Sequence, residues 1–353
     1  MKTVDEVLKS LGGVSKVAQE LGLFRNAPHK WKARGIPSRY AAWASHATGI
    51  PLHELPTAEL LSGSVPAIQQ QDISTSKFKR VSVEQFVTEL YAAEDQKAAL
   101  RKAAGEMPSW DLTPRQMCDI ELILNGAFSP LRGFLTEDDY SSVCENMRLA
   151  GGVGPKGELW PMPVTLDVSD KFAEAATIGS KVALRDPEGV VIAILTVSSN
   201  WQPNKSKEAE LVFGADDNAH PAVAYLHDEA GDWYLGGELL GVDAPTHYDY
   251  RADRHSPNEL RALFKKWGWN RVVAFQTRNP LHKAHQELTM RAAKSAGANL
   301  LIHPIVGMTK PGDVDHFTRV RCYEAVLEQY PAATTQLSLL NLAMRMAGPR
   351  EAL

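Results

Sequence analysis

The chain has 353 residues, of which 44% are hydrophobic and 23% are charged, and its formal net charge at pH 7 is −4. This length predicts two or three domains, and the composition is typical of a globular protein. No apolar run approaches the roughly 20 residues that span a bilayer, and the amino terminus lacks the apolar core of a signal peptide. The sequence therefore argues against a membrane protein or a membrane partner and predicts a cytoplasmic one.

The cysteine spacing argues against a disulfide framework and against a protein-bound metal. The three cysteines are odd in number, and no two of them have the spacing of a metal or redox motif. Buried, reduced thiols are the expected state for such residues in a cytoplasmic protein. They are Cys118, Cys144 and Cys322.

The charge is distributed unevenly along the chain. Residues 1–50 carry eight Lys or Arg and three acids, so this head is basic and the remainder of the chain is acidic. A basic head on an acidic body suggests a separate partner for the head, and nucleic acid is the natural candidate.

Residues 1–60 are predicted to form an all-α head of short helices separated by glycines. The predicted helices are Val4–Leu11, Val14–Leu21, a third around 25–33, and Ser38–Ala47. The stretch Ser15–Leu23, with a small residue in the first helix and a glycine at the turn, resembles the Cro/YdaS-like helix-turn-helix family. That resemblance implies a DNA-binding domain.

Five side chains on the segment that corresponds to the recognition helix have the types that reach bases and phosphates in a major groove. They are Arg25, Asn26, His29, Lys30 and Lys32. Pro28 departs from the family pattern and shortens the expected helix. A small helical interaction module with a solvated basic face is the alternative. Residues 61–84 follow as a Ser- and Gln-rich linker without a sustained period.

Residues 85–240 are predicted to form a β-rich domain. Helices are expected over 84–104 and after the Thr113–Gln116 cap. Further on, a period of two predicts strands, with Asp186–Gly189 as a tight turn. The predicted strands are Met162–Asp167, Lys181–Arg185 and Val190–Val197.

Residues 241–353 alternate between strand and helix patterns, which predicts a partial Rossmann-like α/β domain. Such alternation gives a parallel sheet whose ligands bind at the carboxyl ends of the strands. The predicted elements are strand Arg271–Phe275, helix 280–295, strand Asn299–Val306, helix 315–329 and a helical segment around 336–347.

The first strand–helix junction of this domain has the features of an anion site. Asn279-Pro280 predicts a helix start, with Asn279 as the cap and Pro280 in the first helical position. A buried helical stripe is expected to follow, formed by Leu281, Ala284, Leu288 and Ala292. The free N–H groups and the positive dipole end of a helix favour phosphate or sulfate.

The residues of this junction and three further motifs resemble the ATP sulfurylase (sulfate adenylyltransferase) family. The junction motif is Gln276–His285, and Leu122–Phe134 is similar to the PUA-like domain of that family. Lys310–Arg321 and Met344–Glu351 are similar as well, in the same order. The resemblance covers about residue 86 to the end of the chain and implies the reaction of ATP with sulfate to give adenosine 5′-phosphosulfate and pyrophosphate.

The resemblance also implies roles for the junction residues. Gln276 and Arg278 would hold sulfate and the nucleotide phosphate, with the planar guanidinium matched to tetrahedral oxyanions. Thr277 and Asn279 would complete the catalytic set. His282 and His285 would donate hydrogen bonds to phosphate oxygens. Mg²⁺ would arrive with ATP, and no protein-bound metal is predicted.

Several residues carry two interpretations on sequence alone. The two histidines could bind zinc, although no third ligand lies nearby in the sequence. One loop could border the active site, as its position in the resembled family implies, or could be a solvated loop that caps a helix; its residues are Asp313, Asp315 and His316. His303 is expected at a strand end or in the core. Arg345 and Arg350 could contact nucleotide or pair on the surface.

The chain also departs from the family pattern. The resemblance stops at Ala352-Leu353, and a Gly-Arg-Asp-His-Ala-Gly-Pro-Gly loop of the family does not occur in the sequence. We therefore expect exposed sheet edges and a turnover that is severely reduced or absent in this chain alone. A DNA-binding regulator that senses sulfate, ATP or the product is the alternative function, and a homo-oligomer is possible on sequence grounds.

Overall fold

The computed structural model describes residues 3–11, 14–20, 36, 44, 47, 48, 50, 87–151, 157–310, 312–331 and 333–353. The chain divides into two compact units, Met1–Arg80 and Val81–Leu353. No helix among the described residues is long and apolar enough to cross a membrane.

Two short helices of the first unit lie where the sequence predicts them, α1 (Val4–Ser10) and α2 (Val14–Glu20). A capping box starts α1, because the Thr3 hydroxyl accepts from the Glu6 N–H and the Glu6 carboxylate accepts from the Thr3 N–H. The predicted DNA-contacting residues lie outside the described residues. These are Arg25, Asn26, His29, Lys30 and Lys32. The helix-turn-helix assignment and the linker at 61–84 therefore stay predictions.

The second unit begins with a sheet of six strands in the order β1-β4-β5-β6-β2, with β3 also paired to β6. All its pairs are antiparallel except β1 with β4. The strands are β1 (Ser109–Asp111), β2 (Gly133–Phe134), β3 (Leu166–Val168), β4 (Lys181–Arg185), β5 (Val191–Trp201) and β6 (Trp233–Gly241). The β-rich domain and its Asp186–Gly189 turn are thus confirmed, with the Gly189 N–H donating to the Asp186 carbonyl.

The helices of this part are short and lie around the sheet. They are α3 (Glu94–Ala104), α4 (Pro114–Leu124), α5 (Glu137–Asn146), α6 (Asp170–Ala175), α7 (Lys205–Glu208) and α8 (Pro221–Ala224). One π-helical turn follows each of the last two, at Ala209–Phe213 and Tyr225–Glu229. The predicted cap of α4 is confirmed, because the Thr113 hydroxyl accepts from Gln116 and Pro114 occupies the first turn.

A second sheet holds three parallel strands in the order β7-β8-β9, which confirms the predicted parallel arrangement. Its elements are α9 (Pro257–Lys266), β7 (Val272–Thr277), α10 (Lys283–Ala296), β8 (Asn299–Pro304), α11 (His316–Leu327) and β9 (Thr335–Leu337). A single-turn 3₁₀ helix, Arg251–Asp253, precedes α9. The apolar side chains of β8, β9 and α11 form one core, with Ile302, Val320 and Tyr323 fully buried.

Long-range backbone pairing shortens one predicted helix and replaces another. The helix expected over 84–104 starts only at Glu94, since Leu90 donates to the Leu124 carbonyl and Ala92 to the Gly241 carbonyl. The helical segment expected around 336–347 is instead β9 and an extended continuation. Leu340 donates there to the Pro304 carbonyl and Met344 to the Met308 carbonyl. The strand expected at 162–167 is shorter, and only Leu166–Val168 pairs with β6.

The structure shows the surroundings of the three cysteines and of the two arginines near the carboxyl end, Arg345 and Arg350. Cys118 and Cys144 are buried and free, and Cys322 is partly buried and free. Arg345 is buried and pairs with Asp119 at 2.6 Å, so the interpretation as a surface pair is wrong. Arg350 donates to main-chain carbonyls, including that of Cys144 at 2.8 Å.

Arg345 and Asp119 join α4 of the β-rich part to the extended segment after β9. The side chains of Arg345 and Asp119 are only 8% and 1% exposed. Water does not solvate either charge, so each charge is stabilised by its partner. Glu121, two residues further along α4, accepts from the Asn341 amide at 2.6 Å. These two contacts hold residues 341–345 against α4.

Removing one partner of this pair should destabilise the second unit strongly. We expect Asp119→Ala to lower the free energy of unfolding by about 3 to 5 kcal/mol, because it leaves the buried guanidinium unpaired. Urea unfolding measures the change. Glu238→Ala is the matched control, because its pair with Arg132 is 73% and 63% exposed and should be worth no more than about 1 kcal/mol. Equal losses in the two variants would contradict this account.

Candidate functional site

The loop after β7 is hydrogen-bonded to the last residue of that strand. Thr277, the last residue of β7, is buried, and its hydroxyl accepts from the Asn279 N–H at 3.1 Å. Its carbonyl accepts from the Ile305 N–H at 2.8 Å, beyond the end of β8. Thr277 thus shapes the loop and joins the carboxyl ends of the two strands.

The helix after this loop begins three residues later than the sequence predicts. His282, not Asn279, is the cap of α10, and its Nδ1 accepts from the Ala284 N–H at 3.3 Å. The Asn279 carbonyl is instead bound by the Tyr323 hydroxyl at 2.9 Å, which holds residues 278–281 as a loop. The prediction of Asn279 as cap with Pro280 in the first turn is wrong for this reason.

The predicted buried stripe of α10 is also wrong in part. Leu281 is buried, but Leu288 is 57% exposed and Ala284 is exposed. Because the helix starts late, Thr289 is buried instead and bonds the Tyr330 hydroxyl at 2.8 Å.

The two histidines of the junction lie together at the amino end of α10. Their ring centroids are 3.9 Å apart with planes at 32°, and the His285 ring also contacts Phe275 at 5.7 Å. Burial lowers the pKa of His285 below 6.5, and the neighbouring His282 lowers it further. The lowered pKa of His285 favours its neutral ring, and among the described residues the buried Nδ1 has no hydrogen-bond partner. A neutral imidazole with an unused nitrogen at a helix amino terminus can donate to an anion.

Arg278 faces an acidic residue from the loop before α11. Its Nη1 lies 3.3 Å from Asp313 Oδ2, with the side chains 28% and 10% exposed. The structure therefore brings Asp313 to the junction, whereas the other two residues of its motif lie apart. Asp315 caps α11 by accepting from the Thr318 N–H, which also lowers the pKa of Asp315. His316 Nε2 lies 2.6 Å from Asp249 Oδ2.

Gln276 is exposed and stands beside His303 in the register of β7 and β8. Burial, with a smaller effect of His255, lowers the pKa of His303 to about 4, which fits a neutral histidine at a strand end. His303 also lines a cavity of about 640 Å³ with Tyr91, Glu121, His247 and His255. None of the residues from 276 to 285 lines this cavity.

Arg319 is a central residue of the site that the sequence analysis did not single out. It is 2% exposed, and its guanidinium donates to three carbonyls from three segments. The acceptors are Val314 at 2.8 Å, Arg278 at 3.2 Å and Ile305. One signal was available, because Arg319 and Tyr323 are four residues apart and share the buried face of α11.

No group of three or more His, Cys, Asp and Glu that could hold a metal ion occurs in the part of the chain that the structure describes. The junction thus offers an arginine, a helix amino terminus and two imidazoles, all of which suit an oxyanion.

Comparisons with known proteins give matches over the second unit. Residues 82–244 match a family described as a PUA-like domain, and residues 251–353 match the ATP-sulfurylase family. Both matches lie outside residues 1–60, so the comparisons do not support the helix-turn-helix and DNA-binding predictions.

Curated relatives and a solved structure are similar over the same region. Sulfate adenylyltransferase of Schizosaccharomyces pombe is 57% identical over 72% of this chain and 51% of its own. That of Saccharomyces cerevisiae is 56% identical over 69% of this chain and 46% of its own. A hexameric APS kinase from Thiobacillus denitrificans has a TM-score of 0.62 and 34% identity, over 75% of this chain and 48% of that one. The chain thus spans about half the length of the curated relatives it matches.

The histidine pair permits a direct test by NMR titration. We expect His285 to titrate below pH 6.5, and in His282→Gln its pKa should rise yet stay below that value, because burial persists. The pKa of His303, about 4, should not move and serves as the internal control. A His285 pKa above 6.5 in the unaltered protein would show that the ring is not buried as described.

Arg319 should matter more for stability than an exposed arginine on the same helix. We expect Arg319→Met to lower the free energy of unfolding by about 2 to 3 kcal/mol, because three carbonyls lose a charged donor. Arg321→Met is the control, since Arg321 is exposed and its hydrogen bond within the described part of the chain goes to the Phe317 carbonyl one turn earlier. Urea unfolding compares the two, and a negligible effect at position 319 would refute the assigned role.

Proposed function

We propose that the chain acts as a sulfate adenylyltransferase, from the premise that residues 251–353 match the ATP-sulfurylase family and residues 82–244 match the PUA-like family. The reaction joins ATP and sulfate to give adenosine 5′-phosphosulfate and pyrophosphate. The observation that carries the proposal is the junction between β7 and α10, whose loop contains Arg278 and whose helix amino terminus carries the His282–His285 pair.

The chemistry of this reaction suits groups that bind and neutralise rather than groups that remove protons. A sulfate oxygen attacks the α-phosphorus of ATP, a new P–O bond forms, and the bond to the β-phosphate oxygen breaks as pyrophosphate leaves. Sulfate has no proton to give up at neutral pH, so no general base is required. The rate enhancement comes from positioning and from stabilising negative charge in the transition state.

The junction residues divide these tasks. Arg278 holds an oxyanion through its planar guanidinium, and Gln276 contributes an amide donor at the end of β7. Thr277 and Asn279 set the loop conformation through their mutual hydrogen bonds. His282 and His285 donate to phosphate oxygens as charge grows. The neutral state of His285 suits this task, because a neutral imidazole carries one N–H donor.

Mg²⁺ is proposed to enter as the counter-ion of ATP. Its preferred oxygen ligands are then the phosphates and water, with few or none from the protein. In this scheme Asp313 is the acidic residue nearest to Arg278 that could meet the incoming Mg·ATP.

The domain limits proposed for the enzyme are 85–240 for the PUA-like part and 241–353 for the nucleotidyltransferase part. A homo-oligomer is proposed as well, because the similar APS kinase structure is hexameric. Analytical ultracentrifugation of the purified chain tests it, and a monomer at micromolar concentration would reject it.

The role of Arg278 can be tested by binding and by turnover. We expect Arg278→Gln to weaken sulfate binding by at least about tenfold, the range of a lost charge-assisted contact. Sulfate-dependent release of pyrophosphate from Mg·ATP should fall in parallel, while Arg278→Lys should be intermediate because it keeps the charge without the fork.

Arg291→Gln is the matched control for this test. Arg291 lies on α10 and pairs with Glu287, and the two side chains are 77% and 53% exposed. Calorimetric titration with sulfate should give the same affinity for this variant and the unaltered chain. If Arg278→Gln also binds sulfate with unchanged affinity, the junction is not the sulfate site.

A further inference from the structure

We propose that the carboxylate of Asp313 is an internal competitor for the oxyanion, occupying the Arg278 guanidinium until an anion displaces it. The proposal rests on the proposed function of Arg278 and assigns Asp313 the task of setting anion affinity. It makes Asp313 a residue that weakens binding, in contrast to the donors around it.

The ion pair itself is the first support. Arg278 Nη1 and Asp313 Oδ2 are 3.3 Å apart, a distance that allows attraction without the close double contact of a tight arginine–carboxylate pair. Asp313 is only 10% exposed, so water screens the pair incompletely. A carboxylate and a tetrahedral oxyanion both present two oxygens to a guanidinium, and therefore they compete for the same donors.

The second support is the rigid main chain on either side of the pair. Arg319 donates to the carbonyl of Arg278 itself and to that of Val314, the neighbour of Asp313. Both partners are thus anchored to one buried guanidinium. An exchange of Asp313 for an anion needs only side-chain rotation, so the loops can keep their positions.

The third support is the turn that precedes Asp313 and positions it opposite Arg278. The Asp313 N–H donates to the Lys310 carbonyl at 3.2 Å, and Gly312 has a φ of +88°, which a glycine adopts without strain. This turn fixes the approach of the carboxylate to Arg278. The neighbouring Asp315 is used in capping α11 instead, so the two acids of the motif have separate tasks.

Such a competitor has a physical consequence for a site that binds anions and releases anions. With Asp313 removed, the guanidinium is free and a bound anion no longer faces a nearby negative charge. Binding becomes tighter and release slower. Asp313 therefore keeps the affinity moderate.

The test measures sulfate affinity by calorimetry on the full chain. We expect Asp313→Asn to bind sulfate about three- to tenfold more tightly than the unaltered chain, the scale of one partly exposed charge pair. Glu287→Gln removes the same charge from an exposed pair on α10 and should leave the affinity unchanged. Asp313→Ser is a second variant without the carboxylate, should Asp313→Asn fail to fold.

A double variant distinguishes competition from a structural effect. If Asp313 acts through Arg278, the tightening should disappear when Asp313→Asn is combined with Arg278→Gln. Unchanged or weaker sulfate binding in Asp313→Asn, or tightening that persists without Arg278, overturns the proposal. If Arg278→Gln alone leaves sulfate affinity intact, the proposed sulfate site fails and this inference fails with it.

Discussion

The buried guanidinium of Arg319 is the contact on which the geometry of the candidate site depends. It binds the carbonyls of Arg278, Ile305 and Val314, which belong to the loop after β7, the chain after β8 and the loop before α11. A cation that is 2% exposed must have its hydrogen bonds satisfied, so the three segments cannot separate without a large energetic cost. Among the described residues Arg319 makes these bonds without an ion pair, and its charge adds to a positive potential that favours anions.

Around the Arg319 guanidinium the site combines hydrogen-bond donors of different kinds. The arginine fork, the amino end of α10 and a neutral histidine each favour negative charge, and none of them needs to exchange a proton during adenylyl transfer. Burial lowers the pKa of His285, which favours the neutral ring, and a neutral imidazole still carries one N–H donor. Among the described residues, Asp313 is the acid paired with Arg278, and the proposed competition would let a strongly donating site release its anions.

Several features of this arrangement were accessible from the sequence, and the errors have a common cause. The types of Gln276, Arg278 and the two histidines, together with a strand followed by a helix, indicated an anion site. The start of α10 was placed at Pro280 because cap and proline signals are local. Tyr323 and Arg319 bind the carbonyls of 278 and 279 from another helix and override those signals. Likewise the segment after β9 has helical spacing, yet it pairs with the chain beyond β8.

The sequence by itself determined the chemical character of the junction and the class of the two parts of the second unit. Residue types and short periodicities depend on neighbours along the chain. The sequence therefore predicted the β-rich part, the parallel α/β part and the strand–helix junction. Tertiary structure alone decided which residues meet. Arg278 and Asp313 are 35 positions apart, and Asp119 and Arg345 are 226 apart. Such pairs form because burial removes water and leaves each charge or carbonyl in need of a partner, a condition that no local pattern encodes.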